Sequence, residues 1–171
     1  MTAAGNLVEN ALVELAAATV REATPLPGFV ISSFSPLAAA AAERCLAVRH
    51  GEPPAVDGVG ARTAVVVVSA SGDAEMAAHV AHAVDDGARI GPLLFFQAVP
   101  NSVAGHVAAR WGLRGPVVCL SPTGDPKAEG LAHARLLIDD GDADEVLVVL
   151  VEQDGAADSA HALLVSEGES R

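Results

Sequence analysis

Two stretches leave little freedom in how this chain folds. Thr63-Ala64-Val65-Val66-Val67-Val68 and Val146-Leu147-Val148-Val149-Leu150-Val151, the latter flanked by Glu145 and Glu152, are β-branched, apolar runs without alternation. A strand with one wet face alternates, so a run that is apolar throughout belongs to a strand covered on both faces. Covering both faces requires helices on either side, and helical spacing bounded by Gly and Pro lies between the runs. Asp125 then Pro126 predicts a helix over about 126–140, with Asp125 as cap and Pro126 in the first turn. Ser35-Pro36 predicts another to about Arg49, with Ser35 as cap. Ser71-Gly72-Asp73 leads into one over about 74–86, and Asn101 stands near the cap of one over about 101–111. Shorter strands are expected at 29–31, 116–120 and 159–166, the last antiparallel to 145–152 where residues 153–158 form a hairpin turn. The expected fold class is α/β, a five-stranded mixed sheet with helices on both faces.

Residues 6–22 (NLVENALVELAAATVRE) space Leu7, Ala11, Leu12, Leu15 and Val20 as a helix does, which predicts an N-terminal helical extension over 1–27. One domain is expected over 28–167, with a polar tail at 168–171. A chain of 171 residues can bury a single core, and with aromatic residues at only 3% that core must pack small side chains. The formal charge of −12 opposes nucleic acid and anionic membrane surfaces as partners. The longest apolar runs are too short to span a bilayer. Cys45 and Cys119 sit in apolar surroundings and make no disulfide framework, and Met1–Ala4 carries no basic leader, so a cytoplasmic protein is expected. No cofactor or metal is expected. His79 and His82 share a helix face near Asp73, Glu75, Asp85 and Asp86, but no third ligand follows at a fixed spacing, and the helix reads as a solvated acidic face.

Three further segments carry a family resemblance. Phe95-Phe96-Gln97-Ala98-Val99-Pro100-Asn101-Ser102-Val103-Ala104-Gly105-His106 is followed by Trp111-Gly112-Leu113-Arg114-Gly115-Pro116, and then by Gly141-Asp142-Ala143-Asp144 ahead of the run ending at Glu152. In this order and spacing they resemble the β-ketoacyl synthases of the thiolase-like superfamily. Looser similarity reaches back to Ser35 and over Arg62–Gly72, and forward over Ala160–Glu167. It covers about three quarters of this chain and corresponds to the first half of a ketosynthase, so the resemblance implies a single thiolase-like half. Asn101, His106, Gly115, Pro116 and Gly141 are then fold markers.

The resemblance also locates the chemistry. The family's nucleophilic cysteine stands nine residues after the Gly of the Gly-Pro turn, at the start of the next helix. That count from Gly115 reaches Gly124, and counting back seventeen from Gly141 reaches Gly124 again. Cys119 is five residues too early, inside a strand, where a Cys is more often an inert small hydrophobe. The family's two catalytic histidines and its helper lysine lie in the second half, and His133, His161 and Lys127 match none of those motifs. Only Gln153–Ser159 joins the last two strands, where the family has a long segment carrying tunnel wall and dimer contacts. Condensation needs a thiolate to hold the acyl group and donors to stabilise the developing oxyanion. A glycine holds no acyl group, and Asp125 would place a carboxylate at the helix N-terminus, where negative charge is favoured.

These features lead to the expectation of a non-catalytic accessory or scaffold protein of an acyl-carrier-protein-dependent polyketide or fatty-acid pathway. It would act as a homodimer or as a heteromer with a ketosynthase, through the faces around 99–111 and 124–138. Val103, Val107, Trp111, Ala128, Leu131 and Arg135 are the candidate interface, while Lys127 and Glu129 adapt the first turn of the last helix to water. Two alternatives stay open. One is a diverged thiolase-like acyl-thioester enzyme using Asp125, His106 and His133. The other is a module that binds an acyl-carrier protein through Arg89, Arg110 and Arg114, against which the −12 charge weighs because carrier proteins are usually acidic.

Overall fold

The computed structural model describes residues 11–154 and 157–168. Five strands form one sheet: β1 (Leu12–Val20), β2 (Thr63–Val68), β3 (Val117–Leu120), β4 (Glu145–Glu152) and β5 (Ser159–Glu167). Five helices accompany them: α1 (Phe34–His50), α2 (Ala74–Asp85), α3 (Pro92–Gln97), α4 (Pro100–Trp111) and α5 (Pro126–Asp139). The spatial order is β1-β5-β4-β2-β3. β2 runs parallel to both β3 and β4, whereas β5 is antiparallel to β4 and to β1. The mixed α/β sheet is therefore as expected, with the last strand antiparallel.

The unalternating runs are explained by the two cores. Val65, Val67, Leu147, Val149, Ala162 and Leu164 are buried in one, which also takes in α1 and α4. Ala64, Val66, Val68, Val146, Val148, Leu163 and Val165 are buried in the other, with α5. Successive side chains of a strand point to opposite faces, so both faces need apolar residues. Small side chains let the first core close: Ala38, Ala39, Ala41, Ala42 and Cys45 of α1 are all buried.

Three expectations are corrected. The helix predicted over 6–22 is a strand at 12–20, and residues 1–10 lie outside the described residues. Leu, Ala and Glu favour helices, but here pairing with β5 prevails, in a register running from Leu12↔Glu167 to Val20↔Ala160 with a bulge between Glu14 and Ala16. Among the described residues of the expected 1–27 extension, 12–20 are thus an edge strand of the sheet rather than an appended helix. Residues 29–31 form no strand: Phe29 makes a single bridge to Leu26, its ring is buried, and Val30 and Ile31 point outward. Finally, α1 starts at Phe34 with Ser33 in the cap position, and Ser32 supplies the hydroxyl that accepts from Phe34 N at 3.1 Å. Residues 169–171 of the expected tail lie outside the described residues. Among the described residues, no helix is long and apolar enough to cross a membrane.

Candidate functional site at the β3–α5 turn

Gly115 and Pro116 set the approach to this turn. A Cβ on Gly115 would lie 2.6 Å from the carbonyl of Thr63, so only glycine lets this backbone pass. Gly115 N donates to Thr63 O at 3.0 Å and Val65 N donates to Pro116 O at 2.9 Å, which seats β3 beside β2. At the far end of α5, Gly141 has φ +75 and its carbonyl accepts from Arg62 Nη2 at 2.8 Å. These fold markers hold the two ends of the β3–α5 unit. Asn101 follows Pro100 in the first turn of α4, whose cap position is Val99 rather than Asn101.

Between β3 and α5 the chain turns through Ser121–Asp125. Asp125 caps α5 as expected, its Oδ1 accepting from Ala128 N at 2.6 Å. The donors at the turn itself are taken by a different carboxylate. Glu129 Oε1 accepts from Thr123 N at 3.0 Å, from Gly124 N at 2.5 Å and from the Thr123 hydroxyl at 3.3 Å. The sequence alone gives Glu129 only the role of adapting the first turn of α5 to water. The signal for its role was a Glu in the first turn of a capped helix, close enough to fold back on the loop before the cap. Lys127 beside it is exposed.

The structure does not bring Asp125, His106 and His133 together. His133 is eight residues beyond Asp125 on the same helix, roughly 12 Å along its axis, and its Nδ1 lies 3.0 Å from Glu129 O. His106 is on α4, under the opposite face of the sheet, with its ring edge-on to Phe29 at 6.1 Å. It lines a groove of about 520 Å³ with Arg44, Arg110 and Glu43. Cys119 also turns to the α1/α4 side, where it lines a cavity of about 310 Å³ with Phe34, Val67, Ser69, Pro100 and Ser121. Burial pushes its thiol pKa up.

The expected interface divides in two. Val103, Val107 and Trp111 are buried in the first core, so they hold α4 to the sheet and are closed to a partner. Their helical spacing marks an apolar stripe but does not say what covers it, and α1 and the sheet do. On α5, Ala128 is exposed, Leu131 is half-buried, Leu136 is exposed, and Arg135 pairs with Asp139 at 2.7 Å. Of the three arginines considered for carrier docking, Arg110 is bound to Glu43 at 2.6 Å, Arg114 lines a separate cavity with Gly58 and Gly112, and Arg89 lies in the loop before α3. Among the described residues, no group of three or more His, Cys, Asp or Glu side chains is gathered for a metal, and His82 Nδ1 lies 2.8 Å from Ala78 O.

Residues 31–167 match the family model for the β-ketoacyl synthase N-terminal domain. No curated protein sequence matches the chain. Among solved structures, it is similar to a ketosynthase in complex with its chain length factor from Xenorhabdus doucetiae, with a TM-score of 0.66 and 25% identity, over 87% of this chain and 64% of that one. It is similar to the ishigamide ketosynthase/chain length factor with a TM-score of 0.69 and 19% identity, over 85% and 47%. It is also similar to a structure of a type II polyketide synthase acyl-carrier protein in complex with its ketosynthase, with a TM-score of 0.63 and 17% identity, over 80% and 47%. The chain thus spans less than two thirds of the length of each of these relatives.

Proposed function

This chain belongs to the β-ketoacyl synthase family, matching its N-terminal domain, and we propose that it is a non-catalytic accessory or scaffold subunit of an acyl-carrier-protein-dependent polyketide or fatty-acid pathway. In this reading residue 124 is the family's nucleophile position, and glycine there leaves nothing to carry an acyl group. The observation that carries the reading is the separation of the side chains that would have to replace the nucleophile. A general base acts within about 2.6–3.2 Å of the proton it takes. Asp125 is engaged with Ala128 N, His133 lies two turns along α5, and His106 belongs to the other layer.

A ketosynthase is the partner named first, because similar structures are described as ketosynthase complexes with a chain length factor and with a carrier protein. In this role the chain would contribute surface and shape to an assembly whose chemistry resides elsewhere. Two measurements test the proposal. Intact-mass spectrometry after incubation with acyl-CoA and acyl-carrier-protein thioesters is expected to show no acyl adduct and no turnover. Co-expression with ketosynthases from the same organism is expected to give co-elution at a defined stoichiometry. Turnover that Asp125→Asn abolishes would overturn the non-catalytic half. A chain that stays monomeric and alone beside those ketosynthases, and does not self-associate, would overturn the scaffold half.

A further inference from the structure

We propose that Glu129 is a built-in silencer of the β3–α5 turn, an internal carboxylate that takes the turn's two amide donors and opposes any second negative charge at residue 124. The inference rests on the reading of residue 124 as the nucleophile position and adds a residue to it. Thr123 N and Gly124 N converge on one oxygen, and the Thr123 hydroxyl donates to the same atom. Backbone amides at such a turn are the groups that would otherwise stabilise a thiolate or an oxyanion. A Cβ built on Gly124 would lie 3.1 Å from Glu129 Oε1, a side-chain atom able to yield by a few tenths of an ångström. A side chain at 124 is therefore compatible with the backbone, but its head group would meet a carboxylate. A like charge at that range raises the pKa of a thiol, while removing the amide donors withdraws the stabilisation its anion would have had. Restoring the nucleophile alone would then not restore its reactivity.

Two variants isolate the effect of the charge. With Cys119→Ala as background, Gly124→Cys introduces a thiol whose alkylation by iodoacetamide is followed from pH 6 to 10. The C–S bond forms as iodide leaves, so the rate reports the thiolate fraction. Adding Glu129→Gln keeps an acceptor for the amides and removes the charge. Asp125 and Lys127, the flanking charges, are the same in both proteins. The expected result is a midpoint lower by roughly one unit in the Gln variant, about tenfold faster alkylation near pH 7. Equal midpoints, or a lower one with Glu129 in place, would overturn the proposal. If Gly124→Cys fails to fold, amide hydrogen exchange in the native background reads whether Glu129 holds the two donors. The Thr123 and Gly124 amides should exchange several-fold faster in Glu129→Ala than in the native chain, and at the native rate in Asp125→Asn. Equal exchange in Glu129→Ala and the native chain would overturn the proposal. Neither readout depends on whether the chain binds a ketosynthase, so the silencer and the scaffold reading fail separately.

Discussion

Gly130 of α5 lies against Val148 of β4 so closely that a Cβ on Gly130 would sit 2.8 Å from Val148 Cγ1 and 3.1 Å from Val68 Cγ2. The helix carrying the candidate site is therefore seated on β2 and β4 by an absent side chain. Gly130→Ala sets two effects against each other. Alanine gains about 1 kcal/mol of helix propensity, whereas overpacking a closed core costs about 1–3 kcal/mol. Because both neighbours are buried valines in a two-sided sheet, overpacking is expected to prevail. Urea denaturation should show net destabilisation of Gly130→Ala, and Val148→Ala should relieve it in a double-mutant cycle. Additive effects would place the strain somewhere other than the contact between residues 130 and 148.

The legible and illegible parts of the sequence divide along the same physical line. Val65–Val68 and Val146–Val151 are strands on local grounds alone, because β-branched residues without alternation have few other places to go. Asp125-Pro126 marks the start of α5 because cap and first-turn preferences are local. Leu12–Val20 reads as a helix because Leu, Ala and Glu favour one, and only pairing with β5, more than a hundred residues away, makes it a strand. Val103, Val107 and Trp111 show as an apolar stripe in the sequence, but nothing local to α4 says that α1 covers them. The role of Glu129 is hidden because a carboxylate that folds back onto the preceding loop leaves no periodic trace.

His50 is buried at the end of α1, with its Nε2 3.9 Å from Glu145 Oε2 and its ring beside Trp111 of α4. Burial lowers its pKa below the ordinary 6.5, Glu145 opposes that shift, and Arg49 adds to it. The unfolded chain therefore binds this proton more readily than the folded one. The stability contributed by neutral His50 is full above about pH 6.5 and is lost as pH falls below it toward the folded-state value. Urea midpoints between pH 7.5 and 5.5 should fall for the native protein and fall less steeply for His50→Gln. Parallel slopes would assign the pH dependence to other groups.

Asp73 caps α2 from a part-buried position, its Oδ1 accepting from Met76 N at 2.9 Å and from the Ser32 hydroxyl at 2.5 Å. Burial raises its pKa above 3.8, while the two hydrogen bonds oppose the rise. The ionised form is thus the less favoured one in the folded state, and stability is lost as pH rises from 3.8 through the folded value. Asp73→Asn keeps an acceptor for both donors and removes the charge, so its melting temperature at pH 7 should equal or exceed that of the native protein. Asp73→Ala removes the cap as well and should cost about 0.5–2 kcal/mol. An Asn variant as unstable as the Ala variant would show that the charge itself is needed.

The two thiols should report how far the core between α1, α4 and the sheet opens to solvent. Cys45 is fully buried, and burial pushes its pKa to about 11. Cys119 is half-buried and opens on the 310 Å³ cavity. Thiolate is the reactive form, so a small alkylating agent at pH 8.5 should slowly label Cys119 in the native protein and reach Cys45 only in denaturant. Peptide mapping distinguishes the sites. Native labelling of Cys45 at a comparable rate would mean that α1 opens locally.

Trp111 and Leu136 separate folding from association. Trp111 is 1% exposed beneath α1, and Trp111→Ala should cost about 3–5 kcal/mol, the range for emptying a buried aromatic site. Leu136 is 57% exposed on α5, and Leu136→Arg should leave the unfolding free energy within about 0.5 kcal/mol of native. An exposed leucine contributes little to the isolated chain but would be desolvated beneath a partner. Under the proposed scaffold role, gel filtration of the co-expressed complex should show Leu136→Arg folded and dissociated, with Trp111→Ala unfolded. A complex that survives Leu136→Arg would move the partner off the outer face of α5. The exposed Leu93, Phe95 and Phe96 of α3 would then be the next side chains to substitute.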